Sequence, residues 1–469
     1  MTARTENVVL VTVDSWRADA LGDHMPEASS LAAEGARFDR AFAHGNWTPF
    51  SFPSILASRP AFADTGEIGV TGGPTLAETL SDAGFATAGF NAANGFLTEH
   101  WGYDAGFDEF DSFVTGADGY VSRFLATHPT VSSWVALARS PFRRLAAQAR
   151  GRTTDRPFAD VSKLVDVEER GTAFVESAEE PFFLWLHYMD AHTPYVPAPR
   201  YLREVSGARL GTHRMLSAHV RAGLGRGVGG RTLEGLRTLY RATLRQVDAS
   251  LGRVLDSLEA AGVRDETAVV LAGDHGEEFM EHGHLAHYPK LYDELVHVPF
   301  VVDVPGVRGS AVDAHVGLDA IPPTICDLLD VPAPDGWAGE SLLPAVVEGE
   351  SPSEDPVVSV AVRGEEVTQQ PIPRSLAEGE LLVSARDDDW TYIEYAESGQ
   401  RELYHRPSDP TQQVDLSGDL EGDAVSALER LAPAARDHAE RLTAGATPDA
   451  GTAVDDEGLA QRLEALGYK

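Results

Sequence analysis

Short apolar runs recur along the first three-quarters of the chain: VVLVTV (8–13), FATAGF (85–90), FFLWLHY (182–188), AVVLAG (268–273) and VPFVVDV (298–304). Each has the length of a buried strand, and longer polar–apolar segments separate them. That alternation predicts a parallel sheet covered by helices on both faces. In such sheets ligand sites form beyond the carboxyl ends of the strands. Three of the runs end there in residues able to do chemistry: Asp14 after VVLVTV, His187 to His192 after FFLWL, and Asp274 with His275 after AVVLAG.

The stretch 233–262 places Leu236, Leu239, Leu244, Val247, Leu251, Val254, Leu255 and Leu258 at near-helical spacing and stops at Gly262, which predicts one long amphipathic helix. Near 346–356 the chain becomes an acidic, Pro- and Ser-containing stretch that reads as a linker. Three short strand-like pieces follow, VVSVAV (357–362), ELLVSA (380–385) and WTYIEY (390–395), then a helical tail from about residue 420. The expected architecture is therefore α/β: a catalytic domain over 1–345 with a large, mainly parallel sheet sandwiched by helices, and a smaller α+β domain over 346–469. A chain of 469 residues is longer than one compact domain usually holds, which agrees with this division.

No apolar run approaches the roughly 20 residues of a membrane span. The opening MTARTEN passes directly into the first strand, and Cys326 is the only cysteine, so an intramolecular disulfide is impossible. These features make a cytoplasmic location the default expectation. Acidic residues outnumber basic ones 73 to 38, a net charge of −35, and the only lysines are Lys163, Lys290 and Lys469. Such a surface repels nucleic-acid phosphates and anionic membranes, so neither is an expected partner. Acidic, lysine-poor chains resemble proteins of salt-accumulating halophiles, in which screening suppresses self-repulsion.

Within GDHGEE (273–278), Asp274 and His275 stand side by side at a strand end and can reach one divalent cation. Carboxylate and imidazole together suit Mg, Mn, Ca or Zn. An Asp-His pair capping a turn before a helix satisfies the same local sequence. Asp14 is likewise either a ligand or a helix cap until distant strand ends are brought to one edge.

These residues lie in blocks that resemble those of the sulfatase family of the alkaline phosphatase superfamily. The blocks are NVVLVTVDSWRADALG, WGYDAGFDEFD, LHYMDAHTPY, LAGDHGEEFMEHG, LDAIPPTICDLLDVPAPDGWAGESLLP, ELYHRPSDPTQQVDL and LEALGY, in the family's order. The resemblance implies an alkaline-phosphatase-like fold and a metal-dependent sulfate ester hydrolase that works through a hydroxyl nucleophile and a covalent intermediate. It further implies one divalent cation (Ca, Mg, Mn or Zn) and a small-molecule or carbohydrate sulfate or phosphate ester as substrate. Asp14, Asp274 and His275 match the metal ligands. His192 matches a group that contacts the ester oxygen or protonates the leaving group, with Asp190 behind it. His287, thirteen residues after Asp274, occupies the place of a cationic substrate ligand, and Lys290 is near enough in sequence to neutralise a tetrahedral anion. His284 is offered by the same block, and Arg17 and Arg59 are weaker candidates, better suited to pairing with surface acids.

The nucleophile block departs from the family's cysteine- or serine-x-Pro-Ser-Arg motif, reading NWTPFSFPSILASRP (46–60), with Phe50 and Phe52 where the family has proline and arginine. Cys326 lies in a different block, which excludes a cysteine-derived formylglycine. Counting back from Ser54-Ile55-Leu56-Ala57-Ser58 puts Thr48 at the nucleophile, where it is also a metal ligand. Counting from Ser51-Phe52-Pro53-Ser54 puts Ser51 there instead, with Ile55 in place of the arginine. Thr48 is the preferred nucleophile. Threonine has that role in phosphodiesterases and phosphotransferases of the superfamily, so phosphate ester chemistry is the alternative activity, and a non-catalytic anion-binding relative is the alternative from another class.

Overall fold

The computed structural model describes residues 5–63, 66–70, 72–114, 162–206, 217, 221, 226–364 and 372–445. The closing block LEALGY and most of the segment between 111 and 180 lie outside them. Eight strands form the large sheet. Across it run β10 (Ser310–Gly317), β2 (Ala36–Phe42), β9 (His297–Asp303), β6 (Thr267–Gly273), β1 (Asn7–Val13), β5 (Phe182–Tyr188), β3 (Ala86–Asn91) and β4 (Glu109–Asp111). All neighbours are parallel except β9, which is antiparallel to both β6 and β2.

The run VPFVVDV thus enters the sheet in the opposite sense to the other four. Its connection from β6 explains this. Instead of a crossover helix the chain makes a small hairpin, β7 (Glu278–Phe279) with β8 (Leu285–Ala286), and returns, as an antiparallel neighbour allows.

Strand pleating sorts β1 into two cores. Val9, Val11 and Val13 face one side, where the helices Leu164–Ser177 and Gly230–Ala261 pack, and Val8 and Leu10 face the other, with the helices Thr48–Ala57 and Ile321–Leu328. The long helix expected over 233–262 spans Gly230–Ala261 and ends on Gly262, whose φ of 79° forms a left-handed cap open to glycine at little cost. No helix among the described residues is long and apolar enough to cross a membrane.

The three C-terminal strand-like pieces become β11 (Val357–Arg363), β12 (Glu380–Arg386) and β13 (Trp390–Tyr395), and β14 (Arg401–His405) completes a four-stranded antiparallel sheet. Helix Asp423–Gly445 covers it through Ala424, Ala427, Leu431, Ala435 and Leu442. This sheet shares its core with the loop and helix around Thr48: Trp47, Phe50 and Phe62 pack with Val360, Val383 and Leu403. Gly45 also forms a parallel bridge to Val360. The smaller sheet therefore buttresses the segment that carries the candidate nucleophile.

Candidate active site

The register of the sheet brings the site together. In β1, Val13 is level with Tyr188 of β5 and with Gly273 of β6. The next residues, Asp14 and Asp274, leave adjacent strands at one height, and the Asp14 N–H donates to the Tyr188 carbonyl at 2.8 Å. Both carboxylates are fully buried, as are His187 and His275.

Ser15, in the left-handed region with φ 59°, donates its hydroxyl to Asp14 Oδ1 at 2.8 Å and its N–H to Asp274 Oδ1 at 3.1 Å. The His275 N–H also donates to Asp274 Oδ1, at 2.7 Å. Asp274 Oδ2 is left buried with no hydrogen-bond partner. Burial and the neighbouring Asp14 push the Asp274 carboxyl well above its ordinary range. Burial also raises Asp14, but the imidazoles of His192, His275, His187 and His287 outweigh it and hold that carboxyl down at about 2.

Thr48 opens the helix Thr48–Ala57, and Trp47 is its N-cap. Its Oγ1 donates to Asp14 Oδ2 at 3.2 Å and lies 3.5 Å from His275 Nε2. Ser51, one turn on, points elsewhere and donates to the Asp274 backbone carbonyl at 2.5 Å. The helix start supplies little of an N–H cradle, because Pro49 has no N–H and those of Phe50 and Ser51 both donate to the Trp47 carbonyl. Phe50 and Phe52 are core residues. Phe50 packs on Trp47 and Phe62, and Phe52 meets the His187 ring edge-on at 4.9 Å.

Four imidazoles surround the carboxylates, and hydrogen bonding assigns their faces. His275 Nδ1–H donates to the Gly276 carbonyl at 2.9 Å, His192 Nδ1–H to the Thr193 carbonyl at 2.5 Å, and His287 Nδ1–H to Glu277 Oε2 at 3.1 Å. In the neutral ring this leaves each Nε2 without the proton. The His287 ring lies 4.8 Å from that of His275 and 4.9 Å from that of His192.

His187 differs. The Thr12 hydroxyl accepts the Trp185 Nε1–H at 3.0 Å and lies 2.9 Å from His187 Nδ1 and 3.5 Å from the Leu186 carbonyl. His187 Nε2 lies 4.0 Å from Asp14 Oδ2. Asp14, His187 and Asp274 are close enough to hold a cation as a set. His275, with Nδ1–H committed to Gly276 and Nε2 3.6 Å from Asp14 Oδ1 and 3.7 Å from Asp274 Oδ2, is the better third ligand. Two carboxylates, one of them with an unpartnered buried oxygen, one imidazole lone pair and one hydroxyl fit a hard to borderline divalent cation.

The remaining candidates are spread around this centre. Asp190 accepts from Gln246 of the long helix at 2.5 Å, and Gln246 in turn accepts from the Ala198 N–H, fixing the loop that carries His192. Lys290 places its ammonium over the Tyr292 ring, 5.2 Å from the centroid, and its field falls on Glu278 and His284. The His284 ring packs against that of Tyr288 at 4.2 Å. Arg17 pairs with Asp19 and Glu281, and the Arg59 guanidinium lies against Gly73.

One residue escaped the sequence reading. Asn94, in the loop after β3, donates to Asp14 Oδ2 and to Thr48 Oγ1, both at 3.4 Å. The signal was available, since FATAGF is also a parallel strand whose carboxyl end reaches the same sheet edge.

The Sulfatase family model matches residues 6–331. Arylsulfatase K of Gallus gallus is 31% identical over 185 residues, covering 39% of this chain and 32% of that protein, so this chain spans about a third of that relative. An ulvan-active sulfatase of Formosa agariphila is 24% identical over 441 residues, covering 89% of this chain and 78% of its own. The phosphonate monoester hydrolase of Silicibacter pomeroyi superposes with a TM-score of 0.66 at 20% identity, over 94% of this chain and 96% of the other.

Proposed function

The chain belongs to the sulfatase family, and we propose that it hydrolyses sulfate esters of a small molecule or carbohydrate through Thr48 as nucleophile. The observation that carries this reading is the position of Thr48 Oγ1, within 3.2 Å of Asp14 and 3.5 Å of His275 at the start of a helix. Asp14, Asp274, His275 and the Thr48 hydroxyl would hold one divalent cation, Ca, Mg, Mn or Zn. Bound there, it supplies Lewis-acid polarisation and a lowered hydroxyl pKa.

The chain's own groups divide the remaining work. The Thr48 hydroxyl is oriented by its bond to Asp14 and by the Asn94 amide. Its oxygen bonds to sulfur as the bond from sulfur to the leaving oxygen breaks; the Thr48 proton passes to Asp14 Oδ2, its hydrogen-bond acceptor, and His192, carrying a proton on Nε2 as well as Nδ1 for this step, gives the Nε2 proton to the leaving oxygen. Water then attacks sulfur and releases sulfate, the proton on Asp14 returning to the Thr48 oxygen and the proton of the water to His192 Nε2. A proton on His287 Nε2 in addition to Nδ1–H, and Lys290 further out, would offset charge on the non-bridging oxygens. The ulvan-active relative supports a sulfated carbohydrate as the substrate class.

A second reading keeps the fold, the cation and Thr48 but places phosphorus at the reacting centre. The hydroxyl-type nucleophile favours it, because Thr48 cannot become formylglycine, and the similarity to the phosphonate monoester hydrolase is consistent with it. The test is turnover of an aryl sulfate, an aryl phosphate monoester, an aryl phosphodiester and an aryl phosphonate, in molar KCl, with each cation returned to chelator-stripped protein. A metal-restored preference for the sulfate supports the first reading, and a preference for a phosphorus ester supports the second. Saturable metal binding with no turnover of any ester would remove both in favour of a non-catalytic relative.

A further inference from the structure

His275 Nε2 lies 3.5 Å from Thr48 Oγ1, and the His287 ring packs against those of His275 and His192, yet the three imidazoles are not anchored alike. His275 and His192 donate their Nδ1–H to backbone carbonyls of Gly276 and Thr193. His287 alone donates to a side-chain carboxylate, Glu277 Oε2 at 3.1 Å. Glu277 is wholly buried, and its second oxygen accepts the hydroxyl of Tyr195, itself only 2% exposed. A carboxylate behind an imidazole fixes the ring's tautomer and orientation and makes its far nitrogen more basic than a carbonyl would.

The backbone holds Glu277 just as firmly. Its N–H donates to the Glu294 carbonyl at 2.9 Å, the Gly276 N–H donates to the Leu295 carbonyl at 2.7 Å, and Arg17 Nη1 donates to the Glu277 carbonyl at 2.9 Å. Gly276 permits this approach, because a Cβ there would be driven into the Glu294 carbonyl. The His287 end is fixed as well: Trp47 Nε1–H donates to the His287 carbonyl at 2.9 Å, tying it to the residue before Thr48.

We infer that Glu277 is the positioning residue of His287: with Tyr195 behind it, it holds that imidazole with Nδ1–H inward, so that a proton taken up on Nε2 can bond the ester anion at Thr48. This assignment rests on the proposed ester chemistry for its kinetic consequence and on geometry alone for its tautomer. It gives the first Glu of GDHGEE a task distinct from that of the Asp-His pair beside it.

The test combines kinetics with a measurement that needs no turnover. Glu277→Gln is expected to lower kcat/KM for the preferred aryl ester about 10–100-fold, chiefly through KM, and Tyr195→Phe to lower it less in the same direction. Combined with His287→Asn, Glu277→Gln is expected to add no further loss, because its effect passes through the ring already removed. Nitrogen-15 NMR of histidine-labelled protein, with His287 identified by its absence in His287→Asn, should show the Nδ1–H tautomer in the native chain and its loss or mixing in Glu277→Gln. Losses that multiply in the double variant, or an unchanged His287 tautomer in both Glu277→Gln and Tyr195→Phe, would overturn the assignment. If the native chain turns over no ester, the functional reading fails, and the tautomer measurement still decides the role of Glu277.

Discussion

Thr48 and Ser51 lie three residues apart on one helix, and their hydroxyls are committed differently: Thr48 Oγ1 donates to the Asp14 carboxylate, Ser51 Oγ to the Asp274 backbone carbonyl. Thr48→Ala should therefore lower turnover by about 10³-fold or more while leaving cation affinity largely in place. Ser51→Ala should retain turnover and lose about 1–3 kcal/mol of stability from the orphaned carbonyl. Steady-state kinetics with denaturant unfolding measures both. An active Thr48→Ala protein with an inactive Ser51→Ala protein would exchange the two roles.

Cation binding should be visible as stability. Two buried carboxylates at adjacent strand ends, one with an unpartnered oxygen, repel each other until a cation lies between them. Adding cation at 100 times its Kd to chelator-stripped protein should stabilise it by about 2.7 kcal/mol, read as a rise in Tm. Asp274→Asn should abolish that rise. A rise that persists in Asp274→Asn would place the cation elsewhere.

Away from the site, Asp293 joins the two sheets. Its carboxylate takes hydrogen bonds from Arg406 at 2.7 Å and from the fully buried Arg386 at 3.4 Å. Burial alone would raise its pKa, but the two guanidiniums hold it down at about 2. A depressed carboxyl contributes stability that is present above the ordinary value of about 3.9 and is lost as pH falls towards 2. Asp293→Ala should cost about 3–5 kcal/mol at neutral pH, because it leaves Arg386 buried without its partner. Denaturant unfolding of the variant across that acid range, with the pH dependence reduced, is the check.

His44 and Asp319 give the opposite sign. His44 Nδ1 bonds the Val358 carbonyl at 2.7 Å, and Nε2 faces Asp319 at 3.0 Å. Burial lowers the imidazole's pKa, but Asp319 outweighs it and the net shift is upward. The contribution of this pair is full below the ordinary histidine value of about 6.5 and fades as pH rises through the raised value. Asp319→Asn should flatten the fall in Tm above neutral pH. An unchanged slope would assign that fall to other groups.

The net charge of −35 predicts a Tm that climbs between dilute and molar KCl as screening relieves self-repulsion. A salt-independent Tm would remove the halophilic reading.

The strands that can be read directly from the sequence are those buried on both faces, because an apolar run needs no partner to be recognised. VVLVTV, FATAGF, FFLWLHY and AVVLAG each become parallel strands of the large sheet. The strands ARFDRAF and SAVDAHVG, at 36–42 and 310–317, are half polar because they lie towards the sheet edge, and their sequences do not distinguish them from loops. The direction of β9 is equally hidden. Its composition suits either sense, and only the hairpin that precedes it decides.

At the site, the order of residues along the chain determined which chemistry was available: carboxylates and imidazoles just beyond strand ends, and a hydroxyl before a helix. Tertiary structure alone decided how they divide the work. Register sets Asp14 beside Asp274, different hydrogen-bond partners separate His275 from His187, three residues along one helix separate Thr48 from Ser51, and β3 delivers Asn94. Side-chain chemistry is a local property written in each residue. Hydrogen-bond partnership depends on distances of a few tenths of an ångström between segments hundreds of residues apart, and packing of the whole chain fixes those.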